Sequence, residues 1–167
     1  MPEIHIRTLI PTDAEAYLAL RRRALTEFPT AFGRSVDEII SVETFIERLE
    51  NPDSWAFGAF DGTTLIGIVG LVRYRYKKMH HKAMIVGMFV ATERQSSGVG
   101  RLLMEAAISQ ARQLAGVEQL ALTVASDNPP AIRLYTSLGF ERWGVEPRAM
   151  KYQGKYYNED YMWLKLA

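Results

Sequence analysis

The chain contains no cysteine. That absence excludes a disulfide framework, thiolate metal sites and a cysteine nucleophile together, and it suits a reducing cytoplasm. No excess of one charge exists either: 20 basic residues face 19 acidic ones, for a formal net charge of +1. So close a balance gives no support to the broad electrostatic footprint of nucleic-acid binding. Long hydrophobic runs are missing too. The longest, Ala83 to Ala91, is about half of the ~20 residues that a membrane helix needs. The opening from Met1 to Ile10 alternates apolar and polar residues and lacks the apolar core of a signal peptide. No repeat, low-complexity tract or linker interrupts the sequence. The expectation is a soluble, cytoplasmic protein of one domain, residues 1–167, with no membrane or nucleic-acid partner.

What is present reads as strands and helices in turn. Ile4 to Arg7 alternates at the strand period. Thr12-Asp-Ala-Glu15 has a capping-box pattern ahead of a first helix that should stop before Pro29. Ser35-Val-Asp-Glu38 opens a second helical segment reaching Asn51-Pro52, and Trp55 to Phe60 reads as a strand. Asp61-Gly62 signals a hairpin leading into a strand from Leu65 to about Tyr76. After a polar loop, Ala83 to Val90 is apolar enough for a central strand, and Gly87 within it is compatible with a bulge or, equally, with close packing alone. Val99 to Leu114 has helical periodicity closed by Gly116, and Leu120 to Val124 is a short strand. Asn128-Pro129-Pro130 opens a helix closed by Gly139. Phe140 to Val145 and Tyr161 to Leu166 complete the pattern. The fold class is α/β (α+β): a mixed sheet of about six to seven strands flanked by about four helices. Strand-helix-strand-helix order in the second half implies parallel pairing, and the hairpin implies antiparallel pairing.

The most informative stretch is Val90-Ala-Thr-Glu-Arg-Gln95-Ser-Ser-Gly98-Val-Gly100-Arg101. An apolar strand ends, a glycine-containing loop follows and an amphipathic helix begins. Free N–H groups and the positive dipole end at such a helix start form an anion site. Glycine at 98 and 100 lets a phosphate approach the backbone, with Arg94, Arg101, Ser96 and Ser97 as further donors. The Walker pattern is absent, because Arg101-Leu102 stands where Lys-Ser/Thr is required, and G-x-G-x-x-G fails at Leu103. A turn that only joins strand to helix would need the same glycines.

The Q-x-x-G-x-G arrangement of Gln95, Gly98 and Gly100 resembles the acetyl-coenzyme A pyrophosphate loop of the GNAT superfamily of N-acetyltransferases. Farther along, Asn128-x-x-Ala131-x-x-Leu134-Tyr135-x-x-Leu138-Gly139-Phe140 is similar to that superfamily's other signature. Looser likeness covers most of the chain, including Leu20 to Phe32. The resemblance implies acetyl-CoA as cosubstrate, no metal, and direct attack of a primary amine on the thioester in a ternary complex. The amine belongs to a small molecule, an amino acid, or a protein N-terminus or lysine. Implied coenzyme contacts are Met88, Phe89, Val90, Gln95, Ser96, Ser97, Gly98, Val99, Gly100, Arg101, Asn128, Arg133 and Tyr135, with backbone N–H groups near Met88–Val90 polarising the carbonyl. Many members carry Arg, Gly and a basic residue where this chain has Gln95, Ser96 and Ser97; Arg94, Arg101 or Arg133 would then supply the missing charge.

Tyr135 is the choice for general acid, since a phenol near ~10 can protonate a thiolate whose acid is near ~8.5; a tyrosine on an apolar helical stripe is otherwise core. Asn128 bonds the coenzyme or caps its helix. No acid stands within Ala83–Val90, so the base stays open among Glu27, Glu38, Glu93, His80, His81 and a water chain. Phe28, Phe32 and Tyr74 are acceptor-site candidates. Arg21-Arg22-Arg23 reads as a solvated helix face, and His80-His81 has no metal-ligand spacing. The final strands are expected to pair two subunits as a homodimer. The alternative to an enzyme is an acyl-CoA-binding regulatory module without catalysis.

Overall fold

Period-two alternation becomes sheet, and the cap and proline signals become helix boundaries. The computed structural model describes residues 3–167; Met1 and Pro2, where the alternating opening starts, lie outside them. The strands are β1 (Ile4–Thr8), β2 (Ser54–Asp61), β3 (Thr64–Arg73), β4 (Lys82–Val90), β5 (Gln119–Ala125), β6 (Glu141–Tyr152) and β7 (Lys155–Lys165). The helices are α1 (Ala14–Glu27), α2 (Val42–Glu50), α3 (Val99–Gln113) and α4 (Pro129–Ser137). They form one seven-stranded mixed sheet in the order β1-β2-β3-β4-β5-β7-β6.

Local signals set most boundaries. The β2–β3 hairpin closes with Asp61 opposite Thr64 and Gly62 at φ 60. α1 stops at Glu27, ahead of Pro29. Its start differs from the expected box at Thr12–Glu15: Pro11–Asp13 is a 3-10 turn and α1 begins at Ala14. The Asp13 carboxylate instead accepts from the Ile10 N–H at 2.8 Å and from Arg7 at 2.7 Å. The Arg7 guanidinium holds that carboxyl below the usual range. The helix expected from Ser35 to Asn51 is split. Ser35 and Glu38 cap a 3-10 turn at Val36–Glu38, and α2 starts after Ser41, whose Oγ accepts from the Thr44 N–H at 3.1 Å. Two competing caps on one segment produce the break.

The parallel pairing expected in the second half is confined to β4–β5. β6 runs in the direction of β5, but β7 lies between them and is antiparallel to both. The last two strands are also longer than Phe140–Val145 and Tyr161–Leu166, and they meet at Gln153-Gly154, where both φ values are positive. Solvent-facing polar residues along β6 conceal this hairpin in the sequence.

Each sheet face has its own core. Leu103, Met104, Ala107 and Ala111 of α3 pack with Leu71, Leu120 and Phe140 on one side. On the other, Leu20 and Ala24 of α1 and Phe45 of α2 cover Phe60, Ile68 and Phe89. No helix of the described residues is long and apolar enough to cross a membrane. Asp160 of β7 is charged yet only 3% exposed. It accepts from Ser126 Oγ at 2.6 Å and lies 3.5 Å from Arg142 Nη1, which fastens the β5–α4 loop carrying Asn128. Asp160→Ala leaves the half-buried Ser126 hydroxyl without its acceptor and removes the buried carboxylate's bonds, so stability should fall by about 1–3 kcal/mol. Thermal unfolding would read this as a Tm lower by roughly 2–10 °C.

Candidate active site

β4 and β5 pair only at Lys82–Gln119, Ala83–Leu120 and Met84–Ala121. Beyond those pairs the strands part, and the cause lies at Gly87. Its φ is 59, and the register between β3 and β4 slips between Ile68 and Gly70. The extra residue on β4 is a bulge, which bends a strand and re-aims it. A cleft of about 830 Å³ opens between Ile85–Val90 and Leu122–Ala125. Two strand edges with no strand between them present backbone donors and acceptors to whatever enters.

The glycine loop closes one end. Gly98, at φ 87, is the N-cap of α3, and the first helical bond runs from the Leu102 N–H to the Gly98 carbonyl at 3.1 Å. The N–H groups of the first turn are therefore free for an anion. Gln95 Nε2 donates to the Val90 carbonyl at 3.0 Å, tying the loop to the end of β4. A Cβ at Gly100 would lie 3.3 Å from Leu134 Cδ2 and 3.4 Å from Met88 Cε, so strand, loop and α4 meet closely there.

Of the residues singled out in the sequence, Met88, Phe89, Val90, Gln95, Ser96, Gly98, Gly100, Arg101, Asn128 and Tyr135 line the cleft. Three do not. Val99 is 2% exposed and packs in the core beneath α3. Ser97 turns its hydroxyl to the Arg94 carbonyl. Arg133 stands exposed on α4, outside the cleft. Arg94 pairs with Asp61, and Arg101 donates to Ser137 Oγ at 2.5 Å; both still border the cleft. The free donors that the loop offers to the cleft are therefore chiefly backbone N–H groups.

Tyr135 is 7% exposed, with Phe140 edge-on at 6.2 Å. Burial pushes its phenol up to about 12. Asn128 is the helix cap, its Oδ1 accepting from the Ala131 N–H at 3.4 Å, and it also borders the cleft. Phe28 and Phe32 line the opposite wall and pack against Phe89 at 5.9 and 6.4 Å. Tyr74 does not join them. Its ring holds the Lys82 ammonium at 4.7 Å, at the end where β4 and β5 are still paired.

The base candidates also lie elsewhere. Glu93 is paired with Arg23 at 2.8 Å, which pushes its carboxyl down to about 2. Glu27 accepts from Thr92 Oγ1 at 2.7 Å and pairs with Arg23 at 3.2 Å. Glu38 caps the Ser35 N–H, and His80 sits 3.7 Å from Asp53. None of these, nor His81, borders the cleft. Asp127 and Glu159 do. Burial, and then the charge of Glu146, push the Glu159 carboxyl up. The apolar run of the last strand begins only at Tyr161, which conceals Glu159 in the sequence; its place opposite Ala125 puts it at the wide end of the splay. Arg21 also departs from the solvated helix face that the sequence predicts. Rather than facing solvent with Arg22, it turns inward to the cleft, and its Nη1 is buried without a hydrogen-bond partner. No group of three or more His, Cys, Asp or Glu among the described residues could hold a metal.

Known proteins resemble this chain in sequence and fold. The chain is 31% identical over 158 residues to a mycothiol acetyltransferase of Thermobispora bispora, covering 87% of this chain and 50% of that protein. It spans about half the length of the mycothiol acetyltransferases it matches. It is 33% identical over 111 residues to the N-alpha-acetyltransferase RimI of Mycobacterium tuberculosis, covering 66% of each. A GNAT-family acetyltransferase from Streptococcus pneumoniae superposes with a TM-score of 0.89 at 25% identity, covering 98% of this chain and 99% of the other. yncA of Salmonella typhimurium, solved with its cofactor acetyl-CoA, has the same fold: TM-score 0.88, 20% identity, 99% of this chain and 95% of that one. The model of the acetyltransferase (GNAT) family matches residues 17–140, and the chain belongs to that family.

Proposed function

We propose that this chain transfers an acetyl group from acetyl-CoA to a primary amine by direct attack in a ternary complex. One observation carries the reading: the parted edges of β4 and β5, the free N–H groups at the start of α3 and the buried Tyr135 all open onto one cleft. The donor set fits the coenzyme. Backbone N–H groups beside Gly98 and Gly100 take the pyrophosphate, and the strand edges pair with an amide-bearing arm. The family and its acetyltransferase relatives support the same donor.

Each residue's task follows from its environment. Backbone N–H groups of Met88–Val90, turned outward by the bulge, polarise the thioester carbonyl and stabilise the oxygen as charge develops. Tyr135 is protonated at neutral pH, as a phenol ordinarily is, and burial pushes its pKa higher still; it donates to the leaving sulfur. Glu159, whose own pKa is raised, accepts the amine's proton through water. Phe28 and Phe32 form the apolar wall on the acceptor side. The edge strand β6, with Trp143 and Val145 exposed, supports pairing into a homodimer.

Calorimetric titration with acetyl-CoA and with ATP, followed by thiol release across an amine panel, tests the proposal. Coenzyme binding without ATP binding, and thiol release that depends on an amine, are expected. Binding with no turnover on any amine would favour the non-catalytic acyl-CoA module, and no coenzyme binding would overturn the reading altogether.

A further inference from the structure

We propose that the acceptor carries an anionic group, a carboxylate, close to the amine it offers, and that Arg21, backed by Arg34 and Arg48, holds that group; the inference rests on the transfer reading above.

The case starts with an unmet donor. Arg21 lies one turn after Tyr17 on the inner face of α1, and its Nη1 is buried with no hydrogen-bond partner. Neither Arg21, Arg34 nor Arg48 takes part in an ion pair among the described residues. The three guanidinium groups instead share one small cavity of about 160 Å³, whose walls include no carboxylate. Burial lowers the Arg21 pKa, and Arg34 and Arg48 lower it further against the opposing effect of the Tyr17 hydroxyl. The Phe32 ring, 5.1 Å from Arg21 Cζ, offers the cation a π face but accepts no conventional hydrogen bond. A desolvated, unpaired guanidinium flanked by like charges is an expensive arrangement. It becomes favourable once an anion arrives, and a planar fork suits a carboxylate best.

Position decides which molecule supplies the anion. The small cavity and the main cleft share Arg21, Arg34, Val86 and Gly87. A Cβ at Gly87 would lie 3.4 Å from Arg21 Nη1, so the guanidinium packs directly on the bulge that opens the cleft. That spot adjoins the N–H groups proposed to hold the thioester carbonyl, and it lies on the wall of Phe28 and Phe32, away from the glycine loop at α3. The acceptor approaches there. Across the cleft stand Asp127 and Glu159. A cationic wall facing an acidic one matches a molecule with an ammonium and a carboxylate, such as a free amino acid. A peptide N-terminus, whose neighbouring carbonyl is an uncharged amide, would leave the Arg21 donors unmet. Buried donors left unmet are the usual basis on which a site rejects an analogue.

The test compares free amino acids, ω-amino acids and aminophosphonates with their uncharged amides or esters, with polyamines and with short peptides. Thiol release gives kcat/KM for each, and calorimetry gives the acetyl-CoA Kd. The best acceptor should bear an anion and exceed its uncharged counterpart by at least about tenfold. Arg21→Met should collapse that ratio, mainly through KM, and leave the coenzyme Kd within about twofold. Arg21→Lys keeps the charge without the fork and should retain part of the preference. A Tm for Arg21→Met at or above that of the parent would show that the variant folds, since it removes an uncompensated buried charge. Three results would each overturn the proposal: an uncharged amine or peptide as best acceptor, a ratio that survives Arg21→Met, or a coenzyme Kd raised tenfold, which would assign Arg21 to a coenzyme phosphate. Coenzyme binding with no thiol release from any amine is a separate failure, because it removes the transfer reading itself.

Discussion

Tyr135→Phe should lower kcat by about a hundredfold or more, the usual contribution of a positioned acid, while the acetyl-CoA Kd stays within about twofold. The ring is nearly fully buried against Phe140, and phenylalanine keeps that packing. What the substitution removes is the proton donor facing the leaving sulfur. The split between kcat and Kd separates the chemical role from a core role, which would instead appear as lost stability. The pH profile gives a second check. The acid works in its protonated form, and burial raises its pKa to about 12, so the active form persists to higher pH. No alkaline fall in kcat is expected below about pH 10, the ordinary range of a phenol. A fall centred well below that value and absent in Tyr135→Phe would contradict the raised pKa.

Gly98→Glu should weaken acetyl-CoA binding by at least about a hundredfold. Two effects combine. The residue has a φ of 87, a left-handed conformation that costs an L-residue about 1–2 kcal/mol. Nothing lies within 4 Å of a Cβ built there, so the new side chain enters open space at the mouth of the helix start. Its carboxylate then sits where the dipole and free N–H groups attract phosphate. Gly98→Ala carries only the backbone cost and should weaken binding far less. Arg133→Ala, on the exposed side of α4, should leave the Kd unchanged. Calorimetry on the three variants distinguishes an anion site from a turn that merely connects β4 to α3.

Much of this was legible in the sequence because the governing interactions are local. Gly98 and Gly100 between an apolar run and an amphipathic one, Asn128 before two prolines, and Asp61-Gly62 each encode a cap or turn within a few residues. Gly87 inside an apolar strand fits a bulge or close packing alike, and the structure has the bulge, which opens the cleft. What escaped depends on long-range placement. β7 inserts between β5 and β6 through pairings no local pattern records. Glu159 joins the cleft only because β7 starts earlier than its apolar residues suggest. The Arg21-Arg22-Arg23 run reads as a solvated face, yet the rotation of α1 against the sheet exposes Arg22, pairs Arg23 with Glu27 and Glu93, and turns Arg21 under Gly87. Tyr74 failed for the same reason: the closed end of the β4–β5 pair cannot be located from composition.

The central claim is that acetyl-CoA occupies the gap between β4 and β5, and amide hydrogen exchange with and without acetyl-CoA tests it most directly. Exchange should slow by about tenfold or more at saturating ligand for N–H groups within Ile85–Val90 and at the start of α3. Lys82–Met84, already paired with β5, should change little. Saturated binding with no added protection between Ile85 and Val90 would show that the coenzyme lies elsewhere.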